Sequence, residues 1–201
     1  MSAKKAQKTV LAWLDLETTG LDEKSGRILE YAMVCTHVDL TDILYMSKII
    51  PQNVGIARAM MDDYVVDMHT KNGLLAELEA AEGNALQYAD SIEQAEEELI
   101  QMLNAVTLAV GGNMYEIIFV IAGANPGFDK DWVEEHMPNL FKQLHYRQLD
   151  VNTYKVGMPD SFDPKSSVAH RAMADIRESI AHQSGMLDIV EKAWRYDQLD
   201  R

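Results

Sequence analysis

The feature that most constrains this chain is a short apolar run, Val10, Leu11, Trp13, Leu14 and Leu16, into which two carboxylates, Asp15 and Glu17, are set at alternate positions. A run this short, closing on Thr18-Thr19-Gly20, reads as a buried strand over residues 9–17. Alternate strand residues point to the same side, so Asp15 and Glu17 project together. Adjacent acids repel, and burying them costs free energy unless a cation compensates. An isolated Asp-x-Glu can equally be a solvated strand end, so the tripeptide alone does not establish chemistry.

The elements that follow predict an α/β domain with a mixed sheet. Residues 27–38 and 43–50 read as two further strands, joined by short loops that suit antiparallel pairing into an open three-stranded meander. A helical pattern runs from 60 to 81 with a break at 70–73. A second covers 91–106, where Ile92, Ala95, Leu99, Met102, Leu103 and Val106 line one face. Residues 117–122 form a continuous apolar strand, and 130–136 look helical until Pro138 stops or restarts the helix. A short strand at 146–151 and a terminal helix over 169–190, weakened near Gly185, complete the order. No internal repeat or long linker divides the chain. A single domain over residues 9–194 is therefore expected, between tails at 1–8 and 195–201.

Composition narrows the classes. A chain of 201 residues, 47% hydrophobic, can bury a sizeable core. No stretch approaches the roughly 18 to 20 apolar residues of a membrane span. Three early lysines, Lys4, Lys5 and Lys8, are followed by too short an apolar run to make a signal peptide. Cys35 is the sole cysteine, which rules out an intrachain disulfide and a cysteine-rich zinc site, and fits a reducing, cytoplasmic setting. The formal net charge of −14 argues against a broad basic surface that holds long duplexes. Contact with nucleic acid must then be local, and divalent cations on carboxylates can reverse the charge at one spot.

Three more residues complete a set. Asp129 follows an apolar strand and the Gly123-Ala124-Asn125-Pro126-Gly127-Phe128 turn, a place suited to a helix N-cap and equally to an acid facing the ends of neighbouring strands. His170 precedes Asp175 by five residues, about 500° around a helix, which puts His170 on the preceding loop or first turn. Each signal is weak by itself, but their order is distinctive.

Asp15-x-Glu17, then Asp129 in Asn-Pro-Gly-Phe-Asp, then His170-x4-Asp175 resembles the DEDDh family of 3′-to-5′ exonucleases, within the ribonuclease H-like superfamily. Within that family the oligoribonuclease branch is the most similar. The resemblance is carried also by Trp13–Asp22, Met61-Asp62-Asp63-Tyr64, His69-Thr70-Lys71-Asn72-Gly73-Leu74, Met137-Pro138-Asn139-Leu140, His145-Tyr146-Arg147-Gln148-Leu149-Asp150-Val151 and His170–Ser179, collinear over most of the chain. It implies a ribonuclease H-like fold with a mixed five-stranded sheet flanked by helices. It also implies two divalent cations, Mg²⁺ or Mn²⁺, on Asp15, Glu17, Asp129 and Asp175, with His170 as the base that prepares the attacking water. Two cations about 4 Å apart can stabilise both the attacking and leaving oxygens of an in-line displacement, oxygen ligands suit these ions, and a histidine with a pKa near about 6.5 can take a proton at neutral pH.

The resemblance extends to substrate. Leu21 matches a wedge against a terminal base, His69 a substrate contact, and Tyr146 a side chain that reaches the active site of a neighbouring subunit in a homodimer, with Arg147 on the 5′ phosphate. Asn125 and Asn152 stand near the 5′-phosphate pocket where the branch leads one to expect serine, which relaxes the expected selectivity for the shortest RNA. The implied activity is release of nucleoside monophosphates from short single-stranded RNA, with single-stranded DNA as a further substrate. The alternatives are a DNA-directed proofreading exonuclease, to which Asn125-Pro126 leans, and a silent binding module, which would predict a damaged set of acids.

Overall fold

In the computed structural model, residues 7–51, 53–80, 89, 91–113, 116–157 and 170–199 are described. Five strands, β1 (Lys8–Thr18), β2 (Ile28–Thr36), β3 (Asp42–Ile49), β4 (Ile117–Gly123) and β5 (Leu144–Asp150), form one sheet in the order β3-β2-β1-β4-β5. The first three make an antiparallel meander, whereas β4 and β5 join parallel to β1. The sheet is mixed, as expected. Parallel addition requires crossovers, and α4 (Ile92–Ala109) and α5 (Pro126–His136) lie in them.

Period-two patterning divides the core between the two faces of β1. Val10, Ala12, Leu14 and Leu16 pack with Leu99, Leu103 and Val106 of α4 and with Trp132 and Val133 of α5. Leu11 and Trp13 face the other way, toward Ala172 and Ile176 of α8 (Ala172–Leu199). Burying a side chain such as Leu99 is worth about 1.5–3 kcal/mol, so the stripe on α4 fixes that helix against the sheet. Ser91 begins α4 by accepting from the Gln94 N–H at 3.2 Å. Cys35, on β2, lies wholly inside this core, and burial pushes its thiol up to about 12.

Several boundaries differ from expectation. β1 begins at Lys8, whose ammonium donates to the Val110 carbonyl at 2.7 Å, so Lys8 is not part of a tail. α8 continues through Gly185 to Leu199, taking in residues expected to be tail; an added Cβ at Gly185 would meet nothing within 4 Å, so no close approach accounts for glycine there. The break expected at 70–73 is present, at Gly73 with φ +83°, between α2 (Asp63–Lys71) and α3 (Leu74–Ala80). Ahead of them α1 (Val54–Ala59) is too short to show periodicity and contains Gly55. Two other short helices are α6 (Pro138–Phe141), which Pro138 restarts, and α7 (Thr153–Gly157). None of the described helices is long and apolar enough to cross a membrane.

Candidate active site

Register places the acids. The last β1–β4 pair is Trp13 with Ala122, so β1 runs beyond its parallel neighbour and carries Asp15 and Glu17 past the end of β4. By alternation both acids continue the Leu11–Trp13 face, the one covered by α8. Asp175 lies one residue before Ile176, which anchors α8 there, and three carboxylates converge: Asp15, Glu17 and Asp175 each offer an oxygen, all within 4.8 Å of one another. Across β1–β2, Asp15 is opposite the small Ala32.

Asp129 comes from the opposite side. α5 starts at Pro126, earlier than expected, so Asp129 sits in its first turn and Asn125, φ +61°, holds the cap position without a side-chain cap bond. The N-cap reading of Asp129 is thereby corrected. Its Oδ1 accepts from the Leu16 N–H at 2.9 Å, satisfying a buried donor on the stretch of β1 that β4 does not reach. Asp129 lies outside the 4.8 Å trio but acts electrostatically on Asp15 and Glu17.

The acids are tuned together. Burial first, then Asp129, Glu17 and Asp175, raise Asp15 well above the carboxylate range. Burial, then Glu30 and Asp175, push Glu17 up to about 9, against the pull of Arg171. Asp129 is raised by burial and opposed by its bond from Leu16. Asp175 rises to about 6, again through burial, with His170 opposing. Carboxylates forced together and away from water are a donor set that a hard divalent cation fits, because the cation supplies the missing positive charge.

His170 stands immediately before Arg171 and α8, as the five-residue spacing predicts, with φ +40°. It is half-buried and borders a cavity of about 230 Å³ lined by Tyr64, Asp67, Met68, Lys71 and Asn72. Leu21, just past β1, is 85% exposed. His69, expected as a substrate contact, lies beside Glu17. Its ring is wholly enclosed, with Nε2 donating to the Thr18 carbonyl at 2.9 Å and Nδ1 3.8 Å from Glu17 Oε2, too far for a hydrogen bond. In this conformation His69 holds the end of β1 beside the Glu17 carboxylate.

Tyr146 and Arg147 are exposed on β5, the guanidinium 5.3 Å from the Tyr146 ring centroid. β5 is an edge of the sheet, two strands from β1, which separates this pair from the acids of its own chain. Asn125 and Asn152, far apart in sequence, are brought together: Asp150 Oδ1 accepts from the Asn125 N–H at 3.1 Å and the Asn152 N–H at 2.9 Å.

Sequence reasoning missed Glu30 and Arg171. Glu30, buried on β2, pairs across the sheet with Glu17. Both of its oxygens accept from Arg171, Oε2 from Nε at 3.0 Å and Oε1 from Nη2 at 3.1 Å. The available signal was an acid within the apolar run Ile28–Val34, the same kind of anomaly that singles out Asp15.

Comparison with known proteins gives the family. The exonuclease family RNase_T matches residues 12–182. An oligoribonuclease of Corynebacterium diphtheriae is 33% identical over 190 residues, covering 92% of this chain and 82% of the relative. One from Bordetella pertussis is 33% identical over 183 residues, with 87% and 92% covered. The human mitochondrial oligoribonuclease is 29% identical over 186 residues, with 90% and 73% covered. Among solved structures, E. coli exonuclease I in complex with a dT13 oligonucleotide carrying a 5cy label superposes with a TM-score of 0.55 at 15% identity, covering 89% of this chain. The zinc-bound form of its complex with single-stranded DNA gives 0.54 at 15% identity over 94%. The chain spans 40% and 43% of those two exonuclease I chains, and the likeness is one of fold.

Proposed function

The chain belongs to the RNase_T exonuclease family, and from that membership we propose that it is a 3′-to-5′ exoribonuclease of the oligoribonuclease kind, releasing nucleoside monophosphates from short single-stranded RNA. The observation that carries the reading is the convergence of Asp15, Glu17 and Asp175 from two elements, with Asp129 fixed beside them on a third. An intact set of acids opposes the silent binding module.

Asp15, Glu17, Asp175 and Asp129 would hold two divalent ions, Mg²⁺ or Mn²⁺, as carboxylates whose mutual repulsion those ions relieve. When bound, the ions supply charge stabilisation to the oxygens entering and leaving the phosphorus. His170 accepts the proton of the attacking water on its imidazole, and its place beside the acids, where it opposes the rise of Asp175, supports that role. Leu21, bare on the loop after β1, packs against the terminal base. Asn125 and Asn152 flank the 5′ phosphate of the shortest substrates. Tyr146 and Arg147 serve the site of a partner subunit in a homodimer, a role supported by their exposure and their separation from their own acids.

The test is hydrolysis of labelled RNA and DNA of graded length with Mg²⁺ or Mn²⁺. Short RNA should be cut from its 3′ end to monophosphates, activity should vanish in EDTA, and His170→Ala should lose about 10²- to 10⁴-fold in kcat. A marked preference for DNA would favour the proofreading reading to which Asn125-Pro126 leans. Undiminished cleavage in EDTA would overturn the metal assignment.

A further inference from the structure

Three consecutive residues at the start of α8 are fastened by three separate elements. The His170 carbonyl accepts from the Asn72 side-chain amide, and Asn72 Oδ1 in turn accepts from the Leu74 N–H at 3.0 Å, between α2 and α3. The Arg171 guanidinium spans two carboxylates. Besides its two bonds to Glu30 on β2, it gives Nη1 to Glu77 Oε1 at 2.8 Å and Nη2 to Glu77 Oε2 at 2.9 Å on α3. Four of its five N–H groups are thus used. The Ala172 N–H donates to Glu30 Oε2 at 3.3 Å. The His170 imidazole is uncommitted among the described hydrogen bonds, and its φ of +40° is a conformation non-glycine residues keep only where the surroundings over-determine it.

We propose that Arg171 is a positioning residue for His170: its fork onto Glu30 and Glu77 locks the backbone that aims the imidazole at the acids, so that α3 is part of the catalytic apparatus without touching substrate. This rests on the role of His170 given above. The arrangement has the form such a device requires. Glu30 is the cross-strand neighbour of Glu17, so the anchor is referenced to the strand that carries the acids. The planar guanidinium joins two carboxylates in fixed geometry, which a lysine ammonium, a point charge on a flexible stem, does not reproduce. Losing the fork releases the backbone at residue 170 while leaving Asp15, Glu17 and Asp175 able to hold cations, because a lysine at 171 retains the positive charge.

A double-mutant cycle tests this on the full-length protein. Arg171→Lys should lower kcat on a short RNA at least tenfold while KM and the Kd for Mn²⁺ alone move less than about threefold. In a His170→Ala background the same substitution should cost less than twofold, since the residue through which it acts is gone. Glu77→Gln, half-exposed on α3, takes the charge and one of the two acceptor oxygens from one arm of the fork with less risk to folding. It should give a smaller loss that also disappears in the His170→Ala background. Equal losses in both backgrounds, or an unchanged kcat in both Arg171→Lys and Glu77→Gln, would overturn the positioning role alone. Full activity in His170→Ala would overturn the role of His170 and this proposal with it.

Discussion

The Leu16 backbone N–H and the Asp129 carboxylate meet at 2.9 Å, one residue from each strand acid, and this contact ties α5 to the end of β1. The same side chain therefore has two duties, as a proposed cation ligand and as the partner of a buried donor. Asp129→Asn keeps an acceptor oxygen but not the charge, whereas Asp129→Ala leaves the N–H unpaired at a cost of about 1–3 kcal/mol. Both variants should lose more than 100-fold in kcat, and urea unfolding should find the alanine variant the less stable by that amount. Equal stabilities would remove the structural duty.

Stability without metal should fall as pH rises. Glu17 at about 9 and Asp175 at about 6 hold protons in the folded protein that the unfolded chain releases near about 4 to 4.5. Folded-state values raised above unfolded ones give stability that is complete below the unfolded values and is lost as pH climbs through 6 and then 9. Melting in EDTA should show a falling Tm between pH 5 and 9. Mn²⁺ should raise Tm more at pH 8.5 than at pH 5.5, since fewer protons must be displaced. A Tm in EDTA that rises across this range would contradict the buried, mutually repelling acids.

Tyr146 should act across a dimer. Asp15→Ala and Tyr146→Ala proteins, each nearly inactive, should regain activity when mixed and allowed to exchange subunits, to about a quarter of the wild-type rate if half of the molecules are heterodimers carrying one intact site in two. An active monomer by sedimentation would sink the trans role.

Length selectivity should depend on Asp150 as well as on the two asparagines it gathers. Asparagine is bulkier than serine and presents an acceptor as well as a donor, which loosens a cap for a terminal phosphate. Asn125→Ser with Asn152→Ser should raise the ratio of kcat/KM for a 5′-phosphorylated dinucleotide over a seven-residue RNA. Asp150→Ala should reduce that ratio by freeing both loops, and Asp150→Asn, which keeps the acceptor, should retain most of it. An unchanged ratio in all three variants would dismiss this account of the pocket.

Much of this architecture could be read from residue order, for identifiable reasons. The alternation that sets Asp15 and Glu17 on one face follows from strand geometry, and the stripe from Ala95 to Val106 follows from helix geometry; both appear as expected. What stayed hidden depends on contacts between distant segments. Nothing near Arg171 announces Glu30 or Glu77, which lie 141 and 94 residues away. The enclosure of His69 was equally unreadable, because a histidine in a helix looks the same from the sequence whether it faces solvent or the end of a strand. Asp129 looked like a cap because an acid before a helical stretch ordinarily is one. Only the earlier start at Pro126 moves it inside the helix.

The burial of Cys35 gives the molecule a built-in clock. With its only thiol sealed in the core near the end of β2 and held in the unreactive protonated form, the folded protein should resist alkylating reagents, and labelling should proceed only as fast as the sheet opens. The rate of modification under native conditions then reads out core breathing directly. A cysteine introduced at an exposed position such as Leu21 would be the single site to accept a fluorophore, so motion of that loop could be followed without first removing a native cysteine.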